Sequence, residues 1–103
     1  MDKKVYLPTD KETERSVAIF KAFGDQTRYK ILYLLFERRL SVNQIAAEIG
    51  VSQSAISHQL KILRQTGLVN GERQGQKVLY GLADQHIIMI FKMVKEHISE
   101  DDY

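Results

Sequence analysis

The sequence predicts a mainly α-helical domain with one small β-hairpin, in the order α1-α2-α3-α4-β-β-α5. Apolar residues recur with a helical period along most of the 103 residues. Residues that cap helices stand at the start of each such stretch. Between residues 68 and 82 the period changes to the alternation of β-strands. The length leaves room for a single domain, residues 1–103.

The amino-acid composition indicates a globular domain rather than a membrane or disulfide-stabilised protein. Apolar residues make up 44% of the chain and charged residues 27%, which is typical of a globular domain. No apolar run approaches the roughly 18–20 residues of a membrane span, and the N-terminus lacks a signal-peptide core. We therefore expect a cytoplasmic protein with no membrane partner. The chain has no cysteine, which excludes a disulfide framework and a thiolate metal site.

The first two helices are predicted from their caps. Thr9 and Glu12 form a capping-box pattern, and the helix that follows is expected to stop at Gly24. Asp25 is placed to cap a second helix. The apolar residues of that helix lie nearly all round it, which predicts burial at the centre of the core.

Residues 41–66 carry a helix-turn-helix pattern. Ser41 and Gln44 make another capping box, and Gly50 supplies the left-handed residue that ends a short amphipathic helix. Ser52 then caps a helix that runs to about Thr66. Two short capped helices joined by a glycine-containing turn are typical of this motif.

Residues 67–82 are predicted to form a wing. Val78, Tyr80 and Leu82 alternate as a half-buried strand does, and the preceding tip Arg73-Gln74-Gly75-Gln76 is polar. We expect this hairpin to protrude beside the helix that begins after Ser52.

The helix over residues 52–66 separates into two faces at about 100° per residue. Its outward residues, which we call the reading face, are Gln53, Ser54, Ser57, His58, Lys61 and Arg64. Its inward residues are Ala55, Ile56, Leu60, Ile62 and Leu63, with Gln59 beside them in a supporting role. Short polar groups suit base edges in the major groove, and cations suit phosphates.

The wing tip adds further groups for DNA, namely Arg73, Gln74, Gln76 and Lys77. Residues 41–80 hold a net charge of +2 and the other residues sum to zero, so an anionic partner should meet the middle of the chain. The alternative is that the polar helix face is merely solvated, and His58 is equally consistent with a plain surface residue.

Three segments carry a resemblance to a known family. They are FGDQTR at residues 23–28, SQSAISHQLKIL at 52–63 and RQGQ at 73–76. Together they resemble the ArsR/SmtB family of bacterial metal-sensing repressors. The resemblance implies a dimer of winged helix-turn-helix subunits, joined through the terminal helices over residues 1–24 and 84–100, that binds double-stranded operator DNA.

The last helix carries a candidate metal site at Asp84, His86, His97 and Glu100. Eleven residues of helix rise by roughly 16 Å, so His86 and His97 cannot hold one ion within a subunit, since zinc ligands lie about 2 Å from the metal. If two such helices pack antiparallel across a twofold axis, each subunit supplies two ligands to each of two sites. The spacing is similar to the family's α5 zinc site, whereas the cysteine pair that many relatives carry in the helix matching residues 41–49 is absent.

Oxygen and nitrogen ligands suit Zn(II) and, less strictly, Co(II). Between the ligand pairs lies an apolar stripe, which we assign to the dimer interface. Its residues are Ile87, Ile90, Met93 and Val94.

These observations predict a zinc-responsive repressor that dissociates from operator DNA when Zn(II) binds. Two alternatives stay open: a family regulator without a metal response, and a zinc-binding dimer without operator specificity. An enzyme is not expected, because Ser57 and His58 diverge by about 100° on their helix and no glycine-rich phosphate loop exists. No organic small-molecule substrate is expected either.

Overall fold

The computed structural model describes residues 4–100, and the termini included in the predicted domain, 1–3 and 101–103, lie outside the described residues. The elements follow the predicted order. They are α1 (Asp10–Gly24), α2 (Gln26–Glu37), α3 (Val42–Ile49), α4 (Gln53–Gln65), β1 (Val69–Gln74), β2 (Lys77–Leu82) and α5 (Gln85–Glu100). This is a winged helix-turn-helix fold, as the sequence predicted.

The predicted N-terminal caps are present. The backbone N–H of Glu12 donates to Thr9 Oγ1 and the Glu12 carboxylate accepts from the N–H of Thr9, which completes the capping box of α1. Ser41 caps α3 in the same way with Gln44. Each cap satisfies N–H groups that the helix itself leaves unpaired.

Helices α1 and α3 both end where predicted, but the backbone conformation at one of the two glycines differs from the expected left-handed one. Gly50 ends α3 in the left-handed conformation, with φ of 83°, as expected. Gly24 instead remains the last helical residue of α1 and has no positive φ. The chain turns at Asp25, whose extended backbone closes α1 and whose carboxylate accepts from the N–H of Arg28 to start α2.

Helix α2 lies at the centre of the core, as its apolar surface predicted. Ile31 and Leu32 are fully buried and Leu35 nearly so. The Phe91 ring of α5 is 1% exposed, and its centroid lies 5.4 Å from the ring of Phe23 in α1. Its other ring contacts, with Tyr29 and Phe36, come from α2. One aromatic cluster therefore joins both terminal helices to the central one.

The hairpin is attached at its base and free at its tip. Val69 of β1 pairs with Leu82 of β2, and both are buried. Gly75, with φ of 65°, opens a two-residue turn between Gln74 and Lys77, as a tight hairpin requires. Two backbone hydrogen bonds between Leu40 and Tyr80 form an isolated antiparallel bridge beside β2, which the sequence did not predict.

Candidate DNA-binding face and metal centre

The reading face of α4 points away from the core along its whole length. All six of its residues are exposed, whereas Ile56, Leu60 and Leu63 on the opposite side are at most 1% exposed. Ala55, predicted to point inward, is exposed, because it lies about 100° round the helix from the fully buried Ile56. The amphipathic pattern thus located the face and misjudged only one small residue at its end.

The wing tip is equally accessible. Arg73, Gln74, Gln76 and Lys77 are all exposed and flank the turn at the far end of the hairpin. Their polar side chains are therefore available to a partner that spans both the helix and the hairpin.

A cleft lies between α4 and the wing. Its volume is about 570 Å³, and Ser57, Lys61 and Arg64 of α4 face Tyr80 of β2 across it. A second groove, of about 380 Å³, separates β2 from the start of α3 and is lined by Gln76 and Lys77. The alternation of β2 placed Tyr80 on a strand but gave no sign that it would line the cleft.

The cationic side chains of the reading face and the wing tip form no ion pair with the acidic residues that the structure describes. Among residues 4–100 the ion pairs within 4 Å are Arg39 with Glu72, His86 with Asp84, and Lys95 with Glu37. Lys61, Arg64, Arg73 and Lys77 take part in none of them. Their positive charge is therefore open to an anionic ligand, as phosphate binding requires.

Arg39, a residue that the sequence analysis did not single out, contacts both strands of the wing. Its Nη2 donates to Asn70 Oδ1 at 2.9 Å and to the carbonyl of Leu79 at 3.2 Å, so one guanidinium bridges both strands. Glu72 adds an ion pair at 3.7 Å. A Cβ atom on Gly81 would collide with this guanidinium, so the glycine makes room for it.

Asp84 and His86 meet at the start of α5. The Asp84 carboxylate accepts from the N–H of Ile87 at 3.2 Å, as an N-cap does. The same oxygen lies 3.4 Å from His86 Nδ1, and the two side chains are 54% and 90% exposed. An acidic and an imidazole group thus stand side by side and open to solvent.

His97 and Glu100 lie near the other end of the same continuous helix, and both are exposed. Within residues 4–100 of one subunit, no three histidine or acidic side chains come together in a group that could hold a metal. Helix α5 holds the two candidate pairs about three turns apart.

The apolar stripe of α5 divides into two parts. Ile90, Met93 and Val94 are 38%, 64% and 38% exposed and remain available for a partner. Ile87, predicted to join them, is 8% exposed and packs in the subunit core, because the first turns of α5 lie against α2 and β2. The assignment of Ile87 to a free interface is therefore corrected.

Further apolar groups are exposed on both terminal helices. Met89 and Ile98 of α5 are 55% and 49% exposed, and Phe20 of α1 is 76% exposed. None of the helices within the described part of the chain combines the length and apolarity needed to cross a membrane.

Comparison with known proteins gives a consistent result. The profile described as "Bacterial regulatory protein, arsR family" matches residues 25–71. A protein named "Transcriptional repressor SmtB homolog" from Synechocystis is 37% identical over 91 residues, which cover 88% of this chain and 69% of that protein. A "Cadmium resistance transcriptional regulatory protein CadC homolog" from Staphylococcus aureus is 35% identical over 83 residues, covering 80% and 69%.

Among solved structures, a homodimeric winged helix-turn-helix DNA-binding domain from Mycobacterium bovis superposes with a TM-score of 0.80 at 25% identity. The match covers 93% of this chain and 95% of that one. The matching family and relatives are DNA-binding transcriptional regulators. This confirms the prediction that the chain is a regulator rather than an enzyme.

Proposed function

Because the chain belongs to the ArsR family of bacterial regulatory proteins, we propose that it is a homodimeric, zinc-responsive repressor that leaves its operator when zinc binds. The observation that carries the metal response is the pairing of Asp84 with His86 at the exposed start of α5. The matching pair, His97 and Glu100, stands three turns further along the same helix.

DNA binding rests on the reading face and the wing tip. Short polar residues at the start of α4 suit base edges, while Lys61 and Arg64 suit the phosphates on either side. The cleft between α4 and the wing places Tyr80 beside these cations. In a dimer, two reading helices set one helical turn apart, about 34–36 Å, would enter successive major grooves.

Dimerisation is supported by what a single subunit leaves exposed. Phe20, Met93 and Ile90 present apolar surface on the two terminal helices. The Cα radius of gyration is 16.2 Å, against about 13 Å for a compact chain of this length. The structural relative from Mycobacterium bovis is a homodimer. A twofold contact between the terminal helices would cover this surface.

The donor set fits zinc. A carboxylate and an imidazole at each end of α5 give two oxygen and two nitrogen ligands once Asp84 and His86 meet His97 and Glu100 of the partner subunit. Soft metal ions favour thiolate ligands, and the chain has no cysteine to supply one. When bound, zinc would supply a fixed link between the two ligand pairs. The chain's own contribution is to hold each pair open to solvent at opposite ends of one helix.

The response requires α5 to be mechanically joined to the rest of the subunit. Phe91 inserts into the aromatic cluster, and Lys95 Nζ lies 5.4 Å and 5.5 Å from the ring centroids of Tyr33 and Phe36. The Tyr33 hydroxyl, followed by the Glu37 carboxylate at 3.7 Å, raises the pKa of Lys95. Fixing the angle between two α5 helices would therefore also fix the two α2 helices and the reading helices packed on them.

The coupling is thermodynamic and reciprocal. Zinc weakens DNA binding only if it favours a dimer geometry that DNA does not, and operator DNA must then weaken zinc binding by the same factor. Coupling free energies of about 1–3 kcal/mol are typical, which corresponds to roughly 5–150-fold in affinity.

A single titration tests this function. The affinity for a duplex selected by the wild-type protein from a random library is measured with zinc from zero to four equivalents per dimer, in wild type and His86→Ala. We expect two zinc ions per dimer and loss of DNA affinity in wild type only. Gln85→Ala, one residue away on the same exposed turn, is the matched control and should respond like wild type.

The other outcomes separate the alternatives. Sequence-selective binding without zinc uptake would leave a regulator with no metal response. Zinc uptake with no selected duplex would indicate a zinc-binding dimer without operator specificity. Repeating the titration with Cd(II) and Co(II) decides the metal, and a larger release by Cd(II) than by Zn(II) would contradict the preference proposed from the ligand set.

A further inference from the structure

Arg28 joins three parts of the chain at one point. Its Nε donates to the carbonyl of Ala22 and its Nη2 to the carbonyl of Lys21, both at 3.3 Å. Its Nη1 donates to Gln59 Oε1 of α4 at 3.2 Å. Arg28 belongs to α2, and its guanidinium bonds to α1 and to α4 at the same time.

The two carbonyls belong to the last turn of α1. The final four carbonyls of a helix have no partner within it, and a cation near them interacts favourably with the helix dipole. Among the described residues no carboxylate lies within ion-pair distance of the Arg28 guanidinium. Its N–H groups donate instead to two backbone carbonyls and to the side-chain amide oxygen of Gln59. These directional bonds fix the position of the guanidinium.

Gln59 is the acceptor on the reading helix. It is half-buried on the side of α4 opposite the reading face, and it directly follows Ser57 and His58 in the chain. A displacement of its side chain by the guanidinium would rotate or shift the turn that carries those two residues. The contact between Arg28 and Gln59 therefore lies where it can control the orientation of the outward residues of α4.

The last turn of α1 adjoins an exposed apolar residue of the surface proposed for dimerisation. Phe20, which is 76% exposed, immediately precedes Lys21, whose carbonyl Arg28 binds. A contact that moves Phe20 would move the same turn whose carbonyls hold Arg28. The junction thus lies between the dimer surface and the reading helix.

We propose that Arg28 is a positioning residue that transmits the placement of α1 to α4 through Gln59, and so sets how Ser57 and His58 meet DNA. The inference rests on the proposed DNA-reading role of α4 and on dimerisation through α1. It adds a route from the subunit boundary to the reading helix that does not pass through the metal-binding ends of α5.

The first test is made on the free protein. Arg28→Lys keeps the charge but loses the planar fork that reaches three acceptors. We expect its backbone amide NMR shifts to change in the last turn of α1 and at Ser57 and His58. Lys30→Arg, a similar exchange at an exposed site two residues away, should leave both regions unchanged. Shift changes confined to the immediate neighbours of Arg28 would overturn the proposal whether or not the protein binds DNA.

The second test uses the selected duplex. Arg28→Lys and Gln59→Leu should each weaken binding about tenfold, the scale of one hydrogen bond to a charged group. The thermal midpoint should fall modestly because the same bond stabilises the fold, and dimerisation should stay near wild type. The double variant should lose little more than either single one, because both remove the same contact. Gln59→Glu keeps the acceptor oxygen and should preserve the wild-type amide shifts of α4.

The salt dependence distinguishes positioning from direct contact with DNA. A positioning residue leaves the slope of log affinity against log salt unchanged, whereas loss of a phosphate contact lowers it by about one. A lowered slope in Arg28→Ala, or additive losses in the double variant, would overturn the proposal. If wild type selects no duplex, the proposed function fails, and the amide shifts of the free protein still decide the role of Arg28.

Discussion

His86 Nδ1 lies 3.4 Å from Asp84 Oδ1, and that same carboxylate oxygen accepts the N–H of Ile87. One side chain thus caps a helix and faces a candidate ligand. The cap requires only an acceptor oxygen, whereas the affinity for a metal cation depends on the negative charge as well. The two roles can therefore be separated by substitution.

Asp84→Asn tests this separation. Asparagine caps helices about as well as aspartate, so the thermal midpoint should stay close to that of wild type. Zinc affinity, measured by competition with a chromophoric chelator, should fall at least about tenfold because an anionic ligand is lost. Equal zinc affinity in both proteins would remove Asp84 from the ligand set. Gln85→Ala serves as the control for changes at the same turn.

The corrected position of Ile87 leads to a paired prediction. Met93→Glu should shift the protein toward monomer in sedimentation equilibrium, because it charges an exposed part of the stripe. Ile87→Ala should lower the free energy of unfolding by about 2–5 kcal/mol, the usual range for a truncated core side chain, and leave the subunits associated at temperatures where they are folded. The reverse pattern would place Ile87 at the interface and Met93 outside it.

Gly81→Ala should act on the wing through Arg39. The added Cβ would meet the Arg39 guanidinium and displace it from Asn70 and the Leu79 carbonyl. We expect a severalfold loss of affinity for the selected duplex and weaker amide-exchange protection in the hairpin. Gly24→Ala, where an added Cβ meets no atom within 4 Å, is the control. Unchanged hairpin protection in Gly81→Ala would show that Arg39 does not orient the wing.

The start of α1 should respond to acid. The Thr9 backbone N–H, then the Thr9 hydroxyl, lowers the pKa of Glu12 below its ordinary value of 4.5. A lowered pKa stabilises the folded state above pH 4.5, and that contribution is lost as pH falls through the folded value. The protection factors of the first-turn amides of α1, which compare each exchange rate with the intrinsic rate at the same pH, should therefore fall at acidic pH. In Glu12→Gln, whose side chain carries no titrating group, this first-turn pH dependence should disappear.

Much of the fold followed from local rules. Thr9, Ser41 and Ser52 began helices where they stand, and Gly50 and Gly75 adopted the positive φ that their turns require. Caps and turns depend on residues three or four positions apart, so the sequence displays them directly. The reading face was also predictable, because the period of a helix assigns its two sides.

Contacts between distant segments could not be predicted in this way. Arg28 meets Gln59 across 31 positions, and Arg39 meets Asn70 across another 31. Arg28 belongs to the segment FGDQTR that carries the family resemblance, but neither that segment nor the surroundings of Arg39 shows which distant residue the arginine meets. Long polar side chains reach their partners only after the helices have packed. Ile87 was misassigned for the same reason: helical periodicity identifies an apolar side but not which element covers it.

The sequence by itself therefore determined the order of the elements, the outward face of α4 and the separation of Asp84 and His86 from His97 and Glu100, because each follows from the geometry of one helix or one turn. Only the tertiary structure decided which apolar residues of α5 remain exposed, that Arg39 contacts both strands of the wing and that Arg28 bonds to both α1 and α4. These depend on distances between elements, which no local rule sets.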